Sequence, residues 1–154
     1  MLLLTFRAGE SLYAVDARSV AEVVPRVALR AIPHAPAYLL GLLGYRGRVA
    51  PVADLGVVLG AGRSRDALST RVVLTRIGVA GDPGRLLGIV AEGVNGLTRV
   101  EPTGALLAAI QLDEAPYLGP VFPTDQGLVQ VLKPEAILPD RVREALFGAP
   151  TEAG

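Results

Sequence analysis

The chain has no cysteine and no tryptophan, and it contains only three phenylalanines and four tyrosines among 154 residues. The absence of cysteine excludes disulfide bonds, thiol catalysis and thiolate metal ligands. Aromatic residues make up 5% of the chain and hydrophobic residues 51%, so the interior has to be built from aliphatic side chains. Aliphatic, β-branched cores are typical of sheets, and we expect a fold made mainly of strands.

An excess of charge of one sign and a long apolar run are missing too. Fifteen Lys and Arg balance fifteen Asp and Glu, and no basic cluster is present, which argues against a nucleic-acid partner. Charged residues, glycine or proline interrupt every apolar stretch before about 18 residues, and residues 1–6 are too short for a signal peptide. These absences predict a cytoplasmic protein that does not insert into a membrane.

Residues suited to catalysis or metal binding are scarce. His34 is the single histidine, with no acidic residue close to it in the sequence, so a metal site or a general base would rest on it alone. No serine lies in a Gly-x-Ser-x-Gly elbow. The glycines Gly41, Gly44 and Gly47 match neither a dinucleotide-binding motif nor a phosphate loop. We therefore predict no catalytic residue, no cofactor and no metal.

Short apolar runs recur between turn residues about every 8 to 12 positions, which predicts many short strands. Residues 2–7 and 11–15 form a predicted hairpin, after which Asp16 caps a brief helical turn. Further strands are predicted at 20–24, 27–32, 48–55, 71–77, 85–90, 96–101 and 128–132. Pro51 favours an edge position or a bulge for its strand. Residues 60–66 are predicted to connect the two halves, and residues 78–84 to form a tight reversal. Residues 104–112 stay ambiguous between helix and strand.

The two halves of the chain share an ordered pattern. Ala-Pro-Ala-Tyr-Leu-Leu-Gly at 35–41 has a shorter counterpart, Ala-Pro-Tyr-Leu-Gly at 115–119. A predicted hairpin precedes each copy, and a Gly-x-Val strand at 47–52 or 127–132 follows it. This order predicts two related β units, and closure into barrels would remove their exposed edges. We expect one domain over residues 1–140, followed at 141–154 by a short helix, capped by Asp140, and a frayed tail.

Arg46 is the most distinctive polar residue, because it lies between Gly44 and Gly47 in an apolar segment. The glycines favour a sharp turn that projects the guanidinium outwards. Two interpretations stay open from the spacing: an ordinary solvated arginine, or a contact for another protein together with Tyr45. Asp54 is predicted to cap a turn. The acids Glu92 and Glu101 are predicted to be solvated.

Three motifs carry a family resemblance. They are Pro-x-x-Pro-x-Tyr-Leu-Leu-Gly at 33–41, Tyr-Arg-Gly-x-Val-x-Pro-Val-x-Asp-Leu at 45–55 and Gly-Ile-Val-x-Glu-x-Val at 88–94. With these motifs in this order, the chain resembles the CheW-like coupling domain of bacterial chemotaxis pathways from about residue 3 to 138. Gly44 and Tyr45 replace the Asn-Leu of the family pattern, which fits a paralogue in an alternative chemosensory pathway.

The resemblance implies two small five-stranded SH3-like β-barrels on a common hydrophobic core and no catalysis. It also implies a scaffold between the regulatory domain of a CheA-type histidine kinase and the cytoplasmic tip of a methyl-accepting chemoreceptor. The positions that it assigns to receptor binding are Val20, Glu22, Tyr45 and Arg46. The positions that it assigns to kinase contact and surface shape are Gly41 and Gly47.

A function of another class stays open from the residues alone. His34, Asp54 and Arg46 would serve a small-ligand-binding or catalytic β-barrel if they converged on one pocket. Such a site requires the three side chains to come within hydrogen-bond reach of one substrate. The tertiary structure decides between this alternative and the scaffold.

Overall fold

The short apolar runs form nine strands in the computed structural model, which describes residues 1–78, 84–108 and 111–148. The strands are β1 (Leu2–Ala8), β2 (Ser11–Asp16), β3 (Val20–Pro25), β4 (Leu39–Tyr45), β5 (Arg48–Asp54), β6 (Arg71–Arg76), β7 (Leu86–Arg99), β8 (Leu118–Thr124) and β9 (Gly127–Leu132). The helices are α1 (Leu55–Val58) and α2 (Asp140–Phe147), and 3₁₀ turns cover Ala17–Ser19, Pro102–Gly104 and Pro134–Ala136. Within the described residues, no helix combines the length and the apolar character needed to cross a bilayer.

The strands form two five-stranded units, which we call barrel 1 and barrel 2. Barrel 1 has the strand order β3-β6-β7-β5-β4 and uses residues 86–91 of β7. Barrel 2 has the order β7-β1-β2-β9-β8 and uses residues 92–99 of β7. An isolated bridge from Arg30 to Leu42 extends the edge of barrel 1, and one from Leu107 to Val121 does the same in barrel 2.

The internal repeat is present, but one half of the chain does not make one barrel. The β1–β2 hairpin of the first half joins the β8–β9 hairpin of the second half through the parallel pair β2/β9. The β6–β7 hairpin joins β4–β5 through the parallel pair β5/β7. Two similar units therefore exist as predicted, each built from both halves. The connector at 60–66 consequently joins α1 to β6 within barrel 1.

Strand β7 passes from one barrel to the other. The sequence predicted two strands here, at 85–90 and 96–101, whereas the structure has a single strand. The register against β1 shifts where Thr5 faces Gly96 and Arg7 faces Glu92, and Gly93 has a φ of 61°. Extra residues at such a bulge bend a strand, which explains why one strand serves both units.

Other strand predictions were wrong for identifiable reasons. Strands β4 and β8 were missed because glycines and prolines weaken the strand pattern; β8 holds Pro120 and Pro123 and lies at the edge of barrel 2, where proline is tolerated. Residues 27–32 form no strand, only the bridge at Arg30. The edge alternative for Pro51 was wrong, because β5 pairs with β4 on one side and with β7 on the other. The bulge alternative fits better, since the β4/β5 register shifts next to Pro51, between the pairs Gly41/Val52 and Leu39/Ala53.

The main core lies between the two barrels and is aliphatic, as the composition predicted. Strands of both units contribute to this one cluster, including Leu4, Phe6, Val15, Leu39, Leu87, Ile89 and Leu132. Helix α2 packs against the same cluster through Val142, Leu146 and Phe147. Pro139 precedes the helix and Asp140 is its first residue, so Asp140 is not the cap. The tail at 149–154, most of the 78–84 reversal and residues 109–110 of the ambiguous segment lie outside the described residues.

Candidate protein-binding surface

Arg46 and Gly47 form the two-residue loop of the β4–β5 hairpin. Their φ angles are 49° and 77°, and positive φ at both central positions is the property of the type I′ turn, which matches the twist of paired strands. Gly44, predicted to help the chain turn, lies inside β4 opposite Val49. The turn places Arg46 at the tip of the hairpin with 75% of its side chain exposed, in agreement with the outward orientation expected.

Glu22 on β3 accepts hydrogen bonds from two residues at the β4–β5 hairpin tip. The Tyr45 hydroxyl donates a hydrogen bond of 2.7 Å to Glu22 Oε1, and Arg46 Nη2 donates to the same oxygen at 3.2 Å. The Arg46 guanidinium also lies 5.3 Å from the centroid of the Tyr45 ring, within cation–π distance. Three of the four residues assigned to receptor binding therefore contact one another directly.

Val20 lies two residues before Glu22 at the start of the same strand and is half-buried. Its carbonyl accepts a hydrogen bond of 3.0 Å from Arg76 Nη1, which also donates to the carbonyl of Arg18 at 3.2 Å. The sequence alone does not single out Arg76, because its position beside Val20 depends on the pairing of β3 with β6. Arg76 adds a second guanidinium to this side of barrel 1.

The electrostatics of the tip follow from these contacts. The hydrogen bond to the Glu22 carboxylate, assisted by partial burial, raises the pKa of Tyr45 above its ordinary value. The Glu22–Arg46 pair is solvent-exposed on both sides, and an exposed pair of this kind contributes little net stability. Its effect is to orient the guanidinium while leaving its remaining donors free for a second acceptor.

Gly41 and Gly47 shape the hairpin in different ways. A Cβ on Gly41 would lie 2.5 Å from the Arg30 carbonyl oxygen, and the φ of Gly41 is 151°. Glycine there lets the Arg30 segment exchange two backbone hydrogen bonds with Leu42. Gly41 is buried and acts on the shape of the surface; Gly47 is exposed with open space around it, so only its φ requires glycine.

His34, Asp54 and Arg46 do not share hydrogen-bond partners. The Asp54 carboxylate is buried and accepts from Gly56 N at 3.0 Å, from Ser64 N at 3.1 Å and from Ser64 Oγ at 2.6 Å. Asp54 thus caps α1, which confirms the turn-capping prediction. His34 is exposed in the loop before β4. The arrangement does not favour the small-ligand or catalytic alternative.

Glu92 differs from its prediction. Its side chain is only 13% exposed, and Arg65 Nε donates to its carboxylate at 2.8 Å. Glu92 is therefore a paired and largely buried acid at the point where β7 changes barrels; Glu101 is exposed, as expected. Within the described part of the chain, no three acidic or histidine side chains come together in a group able to hold a metal ion.

Comparisons with known proteins agree with this architecture. The family model described as CheW-like domain matches residues 2–142. The probable chemotaxis protein CheW of Rhizobium etli is 26% identical over 148 residues, which cover 93% of this chain and 90% of that protein. Protein FrzA of Myxococcus xanthus is 36% identical over 95 residues, 62% of this chain and 56% of FrzA.

A solved structure shows the same fold. The scaffolding protein TtCheW from Thermoanaerobacter tengcongensis superposes with a TM-score of 0.77 at 21% identity, covering 90% of this chain and 87% of that one. The prediction of an all-β fold with two small barrels and a short C-terminal helix is therefore confirmed.

Proposed function

The chain belongs to the CheW-like domain family, and we propose that it is a non-enzymatic cytoplasmic scaffold of a chemosensory pathway. In this role it couples the cytoplasmic tip of a methyl-accepting chemoreceptor to the regulatory domain of a CheA-type histidine kinase. The observation that carries the proposal is the oriented Arg46 guanidinium at an exposed hairpin tip, fixed by Glu22 and Tyr45.

The receptor contact is proposed for the surface of barrel 1 formed by β3 and the β4–β5 tip. Two apolar side chains near the tip are exposed, Val23 at 38% on β3 and Val49 at 62% on β5. Because successive side chains of a strand alternate between its faces, they project from the faces opposite to Glu22 and Tyr45, respectively. An oriented arginine at an exposed hairpin tip suits a partner helix that carries a hydrogen-bond acceptor on the face it presents. The guanidinium would pair with a carboxylate or carbonyl of that helix and set its orientation.

The kinase contact is proposed for the barrel surface that Gly41 and Gly47 shape. Val27 is 46% exposed beside the Arg30 segment, which packs closely over Gly41. The corresponding edge of barrel 2 exposes Leu106 and Leu107. Exposed apolar side chains at the barrel edges offer contact area to a domain of the same fold, and weak individual contacts gain strength when several act together.

The proposal is tested by co-purification from the native cell with mass identification of the bound proteins. We expect a chemoreceptor and a histidine kinase to be retained by the wild-type chain. Arg46→Glu should reduce receptor recovery about tenfold or more, because the change removes a contact and adds repulsion. Arg99→Glu is the matched control, since Arg99 is exposed on β7 in barrel 2.

Thermal melts of both variants should match that of the wild type, which would show that folding is unchanged. Receptor recovery that stays equal in wild type and Arg46→Glu would refute the role given to Arg46. Recovery of neither a receptor nor a kinase would refute the scaffold function itself.

A further inference from the structure

The net charge of the chain is zero, but basic and acidic residues are distributed unequally between the two barrels. Residues 20–91, which hold barrel 1 and its loops, contain nine Lys and Arg against four Asp and Glu. Residues 1–19 and 92–154, which hold barrel 2 and the C-terminal helix, contain six against eleven. Barrel 1 is therefore positive and barrel 2 negative, so their surfaces favour partners of opposite charge.

A groove lies on the negative side, between the loop before β8, the 3₁₀ turn at Pro134–Ala136 and the start of α2. Its volume is about 630 Å³. Apolar side chains supply much of its lining, including Tyr117, Ile137 and Leu138, each less than 10% exposed. The Tyr117 hydroxyl donates to the Val58 carbonyl at 3.2 Å, which anchors the ring. The apolar part of the groove is thus fixed by the core beneath it.

The rim of the groove is acidic. It carries Asp113, Glu114, Glu135 and Asp140, all exposed, and the single cation Arg143. The Arg143 guanidinium donates to the Asp140 carboxylate and, at 2.9 Å, to the Glu135 carbonyl. The positive charge of Arg143 is therefore paired with Asp140. Asp113, Glu114 and Glu135 have no ion-pair partner among residues 1–78, 84–108 and 111–148.

We propose that this groove binds a short basic segment of a partner protein, in which Lys or Arg side chains flank an apolar one. The apolar side chain packs on the floor, and the flanking cations pair with Asp113, Glu114 and Glu135. The volume is that of a site for a few side chains, and the negative rim repels phosphates and acidic helices. This groove lies in the acidic part of the chain, whereas the surface proposed for the receptor lies on the basic barrel 1. The proposal therefore does not depend on the proposed function.

A direct test uses a fluorescein-labelled peptide, Gly-Lys-Leu-Lys-Leu-Lys-Gly, titrated with the full chain and followed by anisotropy. The groove variant Asp113→Asn/Glu114→Gln/Glu135→Gln should bind it roughly tenfold more weakly than wild type. The matched control, Glu10→Gln/Glu101→Gln/Asp125→Asn, changes the net charge equally at exposed positions outside the groove. Its binding should fall less than twofold at moderate salt, about 0.15 M.

Two further measurements distinguish binding in the groove from nonspecific electrostatic attraction of the peptide to the protein. A peptide with serine in place of leucine should lose most of the affinity, because the floor is apolar. Amide chemical shifts should move at Tyr117 and Ile137 on addition of the leucine peptide. Equal weakening in both triple variants, shifts at the β4–β5 tip, or absence of saturable binding would overturn the proposal. Sedimentation showing a dimer that the groove variant abolishes would assign the groove to a second copy of this chain and overturn it as well.

Discussion

Glu22 and Arg46 are 24 positions apart in the chain, yet Oε1 of Glu22 lies 3.2 Å from Nη2 of Arg46, and the Tyr45 hydroxyl donates to the same oxygen. Strands β3 and β4 share no ladder of backbone hydrogen bonds. The side-chain contact therefore supplies a direct link between these two strands at the exposed hairpin tip. It makes the orientation of Arg46 a property of barrel 1 as a whole.

Glu22→Gln and Tyr45→Phe should each weaken receptor binding while leaving the thermal melt nearly unchanged. Glu22→Gln removes the charge that pairs with the guanidinium, and Tyr45→Phe removes the hydroxyl that ties the ring to Glu22, so binding to a purified receptor fragment should fall about threefold to tenfold. Calorimetric titration measures the affinity. Glu10→Gln, which removes an exposed acid on the β1–β2 turn, is the control. Affinities equal to wild type in both tip variants would show that the orientation is irrelevant.

The titration of Tyr45 reports the same contact through its pKa. The hydrogen bond to the Glu22 carboxylate raises the pKa of Tyr45 above the ordinary value of 10.0. The pKa of Tyr45 is therefore higher in the folded than in the unfolded chain. The contribution of this hydrogen bond to folding stability is fully present below the unfolded pKa of Tyr45 and is lost as the pH rises through its folded pKa. In Glu22→Gln, NMR titration of the Tyr45 ring should give a lower pKa than in wild type. An unchanged midpoint would argue against the contact in solution.

Asp54 should be important for stability because its carboxylate is buried and satisfies donors from two segments. Gly56 N, Ser64 N and Ser64 Oγ all donate to it, and this links α1 to the loop before β6. Asp54→Ala should lower the free energy of unfolding by on the order of 2–3 kcal/mol, since buried N–H groups lose their acceptor. Urea denaturation measures the change. Asp66→Ala, in the same loop but exposed, should have an effect within about 0.5 kcal/mol.

Gly41 and Gly44 form a matched pair on one strand. A Cβ at Gly41 would lie 2.5 Å from the Arg30 carbonyl oxygen at a φ of 151°, whereas a Cβ at Gly44 would meet nothing within 4 Å. Gly41→Ala should therefore destabilise the chain by on the order of 2–4 kcal/mol. Gly44→Ala should leave it unchanged or up to about 1 kcal/mol more stable. Similar denaturation midpoints for both variants would contradict the close approach at Gly41.

The elements predicted best are those whose cause lies within a few residues of the chain. Turn residues at 8–10 define the β1–β2 hairpin, and Asp16 caps the following 3₁₀ turn through the Arg18 amide, as expected. The position of Arg46 at an exposed turn also follows from the local sequence, whereas the orientation of its guanidinium depends on Glu22. These predictions depend on backbone preferences and short-range hydrogen bonds, which a single sequence contains.

The errors concern features that distant residues control. Glycine and proline weaken the sequence pattern of β4 and β8, so these strands were not predicted. They form because neighbouring strands supply their hydrogen bonds. Glu92 was predicted to be solvated because its neighbours in sequence do not indicate burial; Arg65, 27 positions away, pairs with it. The buried position of β5 likewise depends on β7, which comes much later in the chain.

The sequence by itself determined an aliphatic all-β chain with a repeated pattern, the β1–β2 and β6–β7 hairpins and an arginine at a tight turn, because composition and local backbone preference suffice for these. Only the tertiary structure decided that each barrel combines hairpins from both halves and that Glu22 and Tyr45 contact Arg46. It also decided that carboxylates from three separate segments lie at the rim of one apolar groove. Strand register and barrel closure bring together groups far apart in the chain, and the free energy of that assembly belongs to the whole fold rather than to any one segment.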